Sequence, residues 1–199
     1  METREYWDDF YKKNLAPQNE SNFAQETFAY IQKNQLNHLK LIDIACGNGR
    51  DTFFFSRNGI DSIGIDISVQ PQSKSPVFIK ENILTFNYSD YDLIYLRFIV
   101  HALKEDDLDI LLTKLKQTPK NLYIFIETRS SKGISDEKKS ETYFKSAIGE
   151  EHFRMLYSEP YLTEKLKTYF AVEQVEEAQG FSIYKSEDPF CIRYILRNS

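Results

Sequence analysis

The sequence predicts an α/β fold in which a mostly parallel sheet is covered by helices on both faces. Short apolar runs alternate with amphipathic segments along most of the chain, as buried strands alternate with surface helices in such folds. The first apolar run, 39–46, ends at Gly47, and the second, 60–67, carries Asp66 close to its end. With 199 residues, of which 41 % are hydrophobic and 28 % are charged, the chain suits one domain spanning residues 1–199.

The N-terminal segment, 1–38, is predicted to form a helical cap. Tyr6, Trp7, Phe10 and Tyr11 recur at helical spacing and place one apolar face among charged residues. We expect these rings to pack on the core, and Tyr6 and Tyr11 are also candidates for contacts with a bound substrate. A second helix is predicted to begin after a suitable N-cap residue at position 21, a serine.

The middle of the chain alternates between predicted strands and helices. Strands are predicted at 39–46, 60–67, 76–80, 91–100 and 122–127. Helices are predicted at 51–58, where Gly59 suits the C′ position, and at 104–117, where leucines share one side. The chain closes with a predicted helix at 161–169 and predicted strands at 171–175 and 190–196, whose polar connection allows antiparallel pairing.

One long connection interrupts this alternation. The stretch 128–159 is polar and charged and contains two glycines, and loops of this length inside compact domains often serve as lids or binding loops. We therefore expect a lid insertion here, which contains Tyr143, His152 and Arg154 as candidate functional residues.

Composition excludes several classes of function. A net charge of −5 and a pI near 5.3 leave no global basic field for nucleic acid or for an anionic membrane. Two isolated cysteines, Cys46 and Cys191, are typical of a reducing compartment. The sequence shows neither the apolar run of a signal peptide nor a membrane-spanning stretch, and no cluster with metal-ligand spacing. These features predict a cytoplasmic protein that binds a small molecule and has no nucleic-acid or membrane partner and no metal.

The segment that follows the first predicted strand carries the strongest binding signal. Gly47 and Gly49 allow backbone N–H groups to approach a ligand closely, because glycine has no Cβ. Asp66 lies 23 residues beyond Asp43, at the end of the second predicted strand. A carboxylate there can accept hydrogen bonds from both hydroxyls of a ribose.

A nicotinamide dinucleotide would use a similar loop, but the sequence disfavours it. The dinucleotide fingerprint needs a third glycine, and that position is Thr52. Asp43 would also repel a pyrophosphate, whereas it would attract a cationic ligand. A purely structural role for these glycines and for Asp66 remains the other alternative.

Residues 41–68, with Asp43-Ile-Ala-Cys-Gly-Asn-Gly-Arg-Asp and Gly64-Ile-Asp-Ile-Ser, resemble the first two motifs of class I S-adenosylmethionine-dependent methyltransferases. The resemblance implies a Rossmann-like, seven-stranded, mostly parallel sheet with an antiparallel last strand, in agreement with the number of predicted strands. It also implies S-adenosylmethionine as cofactor and S-adenosylhomocysteine as product. The cofactor-binding residues implied are Asp43, Ala45, Gly47, Gly49, Asp66, Ile67, Asn82, Ile83 and Arg97.

Within that set, the resemblance assigns different parts of the cofactor. The 43–49 segment would hold the methionine part and Asp66 the ribose. Asn82 stands where the family often has an aspartate that contacts the adenine amino group. Arg97 would lie at the boundary between the cofactor and the methyl acceptor.

The acceptor is expected at the same edge of the sheet. His101 and Arg129 follow the fourth and fifth predicted strands, where ligands bind in open α/β folds. Arginine side chains suit carboxylate or phosphate groups, so Arg129 and Arg154, together with Tyr143, Tyr6 and Tyr11, are candidates for substrate binding. Either His101 or His152 is a candidate general base for a hydroxyl acceptor, whereas an acceptor that is already anionic would need only orientation.

Each of these residues also has a structural alternative. His101 can pack beside the next helix, Arg129 can pair with Glu127 or with solvent, and His152 and Arg154 can be exposed loop residues.

Further short motifs resemble small methyltransferases encoded with bacterial capsule or lipopolysaccharide synthesis. These are the N-terminal Tyr-Trp-x-x-Phe-Tyr, Arg97-Phe-x-x-His101, Glu127-x-Arg129, His152-Phe-Arg154 and the 184–193 segment. This resemblance implies a phosphorylated or sugar-linked acceptor that is methylated on oxygen.

Three other functions were weighed against this one. A thiopurine- or tellurite-type methyltransferase and a non-catalytic cofactor-binding module remain alternatives. A nucleic-acid amino-methyltransferase is disfavoured, because Leu96-Arg97-Phe98 stands where such enzymes carry Asn/Asp-Pro-Pro-Tyr/Phe. The oligomeric state stays open.

Overall fold

The structure is a computed structural model that describes residues 3–13, 15–68, 71, 73–118, 121–134, 143–144 and 152–198. Its helices are α1 (Thr3–Lys12), α2 (Asn22–Lys33), α3 (Arg50–Arg57), α4 (Glu105–Lys116) and α5 (Glu159–Lys167), with a short 3₁₀ turn at Val100–Ala102. Its strands are β1 (Leu41–Ile44), β2 (Ser62–Asp66), β3 (Val77–Lys80), β4 (Leu93–Arg97), β5 (Tyr123–Arg129), β6 (Tyr143–Phe144), β7 (His152–Phe153), β8 (Ala171–Ala178) and β9 (Cys191–Arg197).

Seven of these strands form one sheet in the order β3-β2-β1-β4-β5-β9-β8. The first five strands in this order, β3, β2, β1, β4 and β5, pair in parallel, whereas β9 is antiparallel to both β5 and β8. The short strands β6 and β7 pair with each other apart from this sheet. The predicted fold, a seven-stranded mostly parallel sheet with an antiparallel last strand, is confirmed.

The two faces of the sheet bury two separate apolar clusters. Successive residues of a strand point to opposite faces, so Ile94 and Leu96 of β4 join one cluster and Leu93 and Tyr95 join the other. Leucines of α4 and α5 cover the first cluster, and apolar side chains of α2 and α3 cover the second. Burial on both faces explains why β1 is a continuous apolar run interrupted only by Asp43.

The start of α2 is fastened to the sheet by a buried carboxylate. Ser21 caps α2 by accepting a hydrogen bond from the backbone N–H of Ala24. Asp51 of α3 in turn accepts hydrogen bonds from the backbone N–H and the hydroxyl of Ser21, each at 2.7 Å, and from the Tyr95 hydroxyl at 2.9 Å. These hydrogen bonds join the start of α2 and strand β4 to the first turn of α3.

Some element boundaries differ from the sequence prediction. The predicted fourth strand, 91–100, ends at Arg97, because Phe98 adopts a left-handed φ of 61° and turns the chain into the 3₁₀ segment. Strand β5 continues past Glu127 to Arg129, because β9 pairs with it as far as Arg129↔Cys191. Residues 128 and 129 of the expected lid therefore belong to the sheet, and 135–142 and 145–151 of that lid lie outside the described residues.

The sheet order reverses between β1 and β4, which are neighbours although β2 and β3 intervene in the chain. In open α/β sheets such a switch point leaves a crevice beyond the carboxyl ends of the strands, where ligands bind. Among the described residues, no helix has the length and hydropathy required to cross a membrane.

Candidate active site

A cavity of about 1180 Å³ opens at the carboxyl ends of β1, β2 and β4. Its walls come from α1, from the loop after β1, from residues 97–104, from β7 and from the connection between β8 and β9. Sites for one small molecule commonly enclose about 300–1,000 Å³. The cavity therefore has room for a cofactor and an acceptor together.

The loop after β1 turns sharply through left-handed backbone. Ala45, Gly47 and Gly49 have φ values of 60°, 57° and 74°. A Cβ at Gly47 would lie 2.2 Å from the Tyr11 hydroxyl oxygen, and a Cβ at Gly49 would lie 2.4 Å from the Phe78 ring. The two glycines are thus needed for the close approach of aromatic rings from α1 and β3.

Asp66, at the end of β2, ties this loop to the sheet. Its Oδ2 accepts the N–H of Gly47 at 2.9 Å, and its Oδ1 accepts the N–H of Ser68 at 2.8 Å and the hydroxyl of Ser68 at 2.6 Å. A carboxylate offers about four acceptor positions, so about one remains for a ligand in the cavity that Asp66 lines. This conformation serves one ribose hydroxyl more readily than two.

Asp43 is the second carboxylate of this part of the cavity. It is 3 % exposed, and its Oδ2 accepts a hydrogen bond from the Thr52 hydroxyl at 2.6 Å. Burial, followed by the nearby Asp51 carboxylate, raises the pKa of Asp43 to about 8. Thr52, which stands where a dinucleotide fingerprint has its third glycine, thus donates a hydrogen bond to the Asp43 carboxyl group.

The chemistry of these groups fits an adenosyl cofactor with a positive charge. Two buried acidic groups, Asp43 and Asp66, lie beside the loop, where they would attract a sulfonium and an ammonium group. Ile67 and Ile83 supply apolar surface next to them. Asn82 also lines the cavity, and its Oδ1 accepts the N–H of Leu84 at 2.9 Å, which leaves its amide nitrogen as a possible donor.

Arg97 lines the cavity but is held firmly by the protein. Its Nε donates to Glu127 at 2.9 Å, its Nη2 donates to Ser182 at 3.0 Å, and its guanidinium lies 4.3 Å from the centre of the Phe98 ring. Glu127 is fully buried and also pairs with Arg193 at 2.6 Å. These contacts fix the Arg97 side chain in the cavity wall. Its contact with the cofactor stays a prediction.

Arg129 does not pair with Glu127, so that alternative is wrong. Its Nη2 donates to Glu187 at 2.7 Å, and Glu187 lies in the connection between β8 and β9. Register explains the difference, because Glu127 and Arg193 are direct partners across β5 and β9. Arg129 therefore reaches the cavity with an anchored guanidinium.

His101 is buried on the cavity wall. Its Nδ1 lies 3.0 Å from the Thr128 hydroxyl and accepts the backbone N–H of Arg129 at 3.2 Å. Burial and then the positive charges of Arg154 and Arg129 lower the pKa of His101 well below its usual value. The ring is therefore neutral at physiological pH.

His152 and Arg154 are not exposed loop residues, because they are only 9 % and 8 % exposed. The Arg154 Nε donates to the His152 Nε2 at 3.1 Å, and the His152 ring stacks on Tyr6 at 4.5 Å between centroids. Burial and then Arg129 lower the pKa of Arg154 to about 10. Tyr6 belongs to α1 and packs on His152 of β7, so the N-terminal helix forms part of the cavity wall.

Most of the residues predicted from sequence line this one cavity. They are Asp43, Ala45, Asp66, Ile67, Asn82, Ile83, Arg97, His101, Arg129, His152, Arg154, Tyr6 and Tyr11. Gly47 and Gly49 are beneath aromatic rings and are not among the lining residues. For Tyr143 the backbone pairs with Phe153, and its side chain lies outside the described part of the chain.

Sequence reasoning missed the wall formed by the connection between β8 and β9. Phe181, Ser182, Tyr184 and Glu187 line the cavity from this loop. A loop has no periodicity that would assign a side to its residues. The one signal in the sequence is the 184–193 motif, which includes Tyr184 and Glu187.

Charge is divided between the two ends of the cavity. Asp43, Asp51 and Asp66 outnumber Arg50 at the end formed by β1, β2 and the start of α3. Arg129 and Arg154 outnumber Glu187, the partner of Arg129, at the end formed by β5 and the segment after β7. A cationic ligand and an anionic ligand would therefore each meet opposite charge at a different end.

Comparison with known proteins gives a family match and several similar folds. A family model described as a methyltransferase domain matches residues 2–174. A methyltransferase from Anabaena variabilis, described as S-adenosylmethionine-dependent, has a TM-score of 0.69 at 18 % identity, covering 100 % of this chain and 96 % of that chain. No curated protein matches the sequence significantly.

Two further solved structures carry S-adenosylhomocysteine. The 1,6-didemethyltoxoflavin-N1-methyltransferase of Burkholderia thailandensis, with its bound acceptor, has a TM-score of 0.66 at 15 % identity, covering 90 % of this chain and 80 % of that chain. The magnesium protoporphyrin IX methyltransferase of Synechocystis has a TM-score of 0.63 at 12 % identity, covering 96 % of each chain. At these identities the likeness concerns the fold.

Proposed function

The chain belongs to the methyltransferase domain family, and from this premise we propose that it transfers a methyl group from S-adenosylmethionine to an oxygen of a small anionic acceptor. The family confirms the predicted enzyme class. The predicted cofactor and product agree with the S-adenosylhomocysteine bound in the Burkholderia and Synechocystis neighbours. The observation that supports an anionic acceptor is the division of charge between the two ends of the cavity.

The acidic end would hold the cofactor. When bound, S-adenosylmethionine supplies an electrophilic methyl group on a positively charged sulfur. Asp66 would bind the ribose, Asp43 would face the positive charges, and Ile67 and Ile83 would contact the adenine ring. The left-handed backbone at Ala45, Gly47 and Gly49 shapes the turn beside this end of the cavity.

The basic end would position the acceptor. Arg129, anchored by Glu187, and Arg154, which donates to His152, present guanidinium groups that suit a carboxylate or a phosphate. Tyr6 and Tyr11 line the same cavity from α1. Fixing both reactants in line can supply a large part of the rate enhancement in such a transfer.

The acceptor class is phosphorylated or sugar-linked, and the reaction belongs to bacterial surface polysaccharide biosynthesis in the cytoplasm. The short motifs at 97–101, 127–129 and 152–154 support this proposal, because they place their charged residues around one cavity. The methyl acceptors named for the Burkholderia and Synechocystis neighbours differ from each other, so neither identifies the acceptor of this protein. A single domain over 1–199, with a cap at 1–38 and a lid at 128–159, is part of the same proposal.

Calorimetric titration of S-adenosylmethionine and S-adenosylhomocysteine tests the cofactor site. We expect micromolar binding to the wild type and at least a tenfold loss in Asp66→Ala. Asp61→Ala, which changes an exposed carboxylate five residues earlier, is the matched control and should bind normally. A folded wild type that binds neither compound would contradict the proposed function.

A second experiment tests the acceptor. Protein and methyl-labelled S-adenosylmethionine are incubated with D-glucuronate, with glucose 1-phosphate and with uncharged methyl α-glucoside. We expect label in an anionic sugar, with weaker transfer by Arg129→Gln and Arg154→Gln. Labelling of the uncharged sugar alone would contradict the anionic acceptor, and cofactor binding without any transfer would favour the non-catalytic module.

A further inference from the structure

The two histidines of the cavity were candidates for a general base, and hydrogen bonding decides what each can do. The backbone N–H of Arg129 can only donate, so the Nδ1 of His101 must be the acceptor of that bond. A neutral imidazole with an accepting Nδ1 carries its proton on Nε2. His101, which lines the cavity, therefore has a hydrogen-bond donor at Nε2 and has its one lone pair, on Nδ1, engaged.

His152 has its own ring nitrogen engaged. The guanidinium Nε of Arg154 can only donate, so the Nε2 of His152 accepts that bond. Its stacking on Tyr6 and its edge contact with Trp7, at 5.3 Å between centroids, hold the ring in this orientation. The Nε2 lone pair of His152 is therefore not available to take a proton from an acceptor.

The charges around His101 also oppose a general base. The guanidinium groups of Arg97 at the end of β4, Arg129 at the end of β5 and Arg154 after β7 all act on it. The His152 ring lies beside Arg154 and is uncharged while its Nε2 accepts from that residue. Glu127 and Glu187 are paired with two of these arginines, Arg97 and Arg129. Among the described residues, none of the hydrogen bonds of the His101 ring is to a carboxylate, so an imidazolium would form here without support.

We propose that the atom methylated is the oxyanion itself, a carboxylate or phosphate oxygen, and that His101 binds it by donating from Nε2–H beside Arg129 and Arg154. This inference rests on the proposed function. A lone pair of the acceptor oxygen forms the bond to the methyl carbon, and the carbon–sulfur bond breaks with its electron pair going to sulfur. The negative charge of the acceptor and the positive charge of the sulfur disappear together, so no proton is released.

Nitrogen NMR of ¹⁵N-histidine-labelled protein saturated with S-adenosylhomocysteine tests the protonation of His101 directly. The chain has three histidines, so His38→Gln and His152→Gln complete the assignment. We expect a neutral ring protonated on Nε2 from pH 6 to pH 8. A ring protonated on Nδ1, or charged at pH 7, would overturn the inference whatever the acceptor is.

Two substitutions separate a donor from a base. In His101→Gln the amide nitrogen can replace the Nε2–H donor but cannot take a proton, whereas His101→Phe removes both functions. We expect transfer to D-glucuronate or glucose 1-phosphate to stay within about tenfold in the glutamine variant and to fall further in the phenylalanine variant. A general base would lose about 10²–10⁴-fold in both variants, and that result would overturn the inference.

The chemistry of the product distinguishes the two sources of oxyanion. Label released as methanol by mild alkali indicates a carboxylate ester, and alkali-stable label with a shifted phosphorus resonance indicates a phosphate ester. Either product, formed without proton release in weakly buffered solution, supports the inference. An ether on a hydroxyl of an anionic sugar, with one proton released per transfer, would overturn it and leave the proposed function intact. Transfer only to methyl α-glucoside, or cofactor binding without transfer to any acceptor, would overturn both the inference and the proposed function.

Discussion

At the scale of single residues, Asp43 has a charge that depends on what the cavity holds. Burial and the neighbouring Asp51 carboxylate raise its pKa to about 8, while the Thr52 hydroxyl bonds to it. At pH 7 the carboxyl is thus mostly protonated until a cation arrives. A positively charged ligand beside it favours the ionised form.

Binding of S-adenosylmethionine should therefore release a proton. We expect affinity to rise between pH 6.5 and pH 8, by up to about tenfold per pH unit, and to level off above the pKa of Asp43. Calorimetry in two buffers of different ionisation enthalpy measures the proton directly. Asp43→Asn should bind more weakly and release none, and an equal proton release from that variant would contradict the assignment to Asp43.

The same residue should cost stability. The folded pKa of Asp43, about 8, lies above its ordinary value of 3.8, so its contribution to the free energy of unfolding falls as pH rises through this range. Asp43→Asn keeps an oxygen for Thr52 and should raise the free energy of unfolding at pH 8 by about 1–3 kcal/mol. Urea denaturation at pH 5 and pH 8 checks this. A variant that is less stable at pH 8 would show that the carboxylate is stabilised by contacts outweighing its burial.

At the scale of elements, the contact between α1 and the glycine loop joins the N-terminal helix to the cofactor end of the cavity. The Tyr11 ring lies against Gly47, where a Cβ would approach the hydroxyl oxygen to 2.2 Å. Gly47 also has a left-handed φ of 57°. Any side chain there would therefore strain the turn and push α1 away.

Gly47→Ala should destabilise the protein by about 1–3 kcal/mol from backbone strain and lose more from the displaced Tyr11. Gly59→Ala is the matched control, since Gly59 has a φ of 83° but nothing within 4 Å of its Cβ position. In a double-mutant cycle, Tyr11→Ala should recover the steric part of the loss and leave the strain. Simple additivity of the two substitutions would contradict the contact.

Structural features that depend on local interactions could be predicted from the sequence, and features that depend on distant partners could not. Helices and strands show their period in the sequence, so each predicted strand has a counterpart in the sheet. Their ends depend on tertiary partners, as when Cys191 extends β5 to Arg129. Tyr11 was a candidate for substrate contacts, but the sequence could not show that Gly47 accommodates its ring, because 36 residues separate them. Glu187, the partner of Arg129, lies on a loop and has no pattern that identifies it.

At the scale of the whole molecule, Glu127 connects distant parts of the chain. Its carboxylate, fully buried in β5, pairs with Arg97 of β4 and with Arg193 of β9. Arg97 continues to Ser182, and Arg193 continues to Glu26 of α2. The Glu127 carboxylate therefore links β4, β9, the connection between β8 and β9, and α2 through one network of ion pairs and hydrogen bonds.

Glu127→Ala should lower the free energy of unfolding by about 3–5 kcal/mol, because it removes a fully buried ionic partner from Arg193, which is buried, and from Arg97, which is largely buried. Glu127→Gln keeps hydrogen bonds and should lose less. Glu26→Ala removes an exposed partner of Arg193 and should cost below about 1 kcal/mol. Chemical denaturation of the three variants gives the order, and a loss at Glu127 no larger than at Glu26 would contradict the role of this network.

The packing of α1 over the cavity has an optical consequence. Trp7 is the only tryptophan of the chain, and it lines the cavity within 6.0 Å of the Tyr11 ring and 5.3 Å of His152, measured between centroids. Indole fluorescence responds to the polarity of its surroundings and to the ionisation of a neighbouring imidazole. The whole tryptophan emission of this protein therefore originates from one wall of the site. It serves as an unlabelled reporter of what enters and leaves.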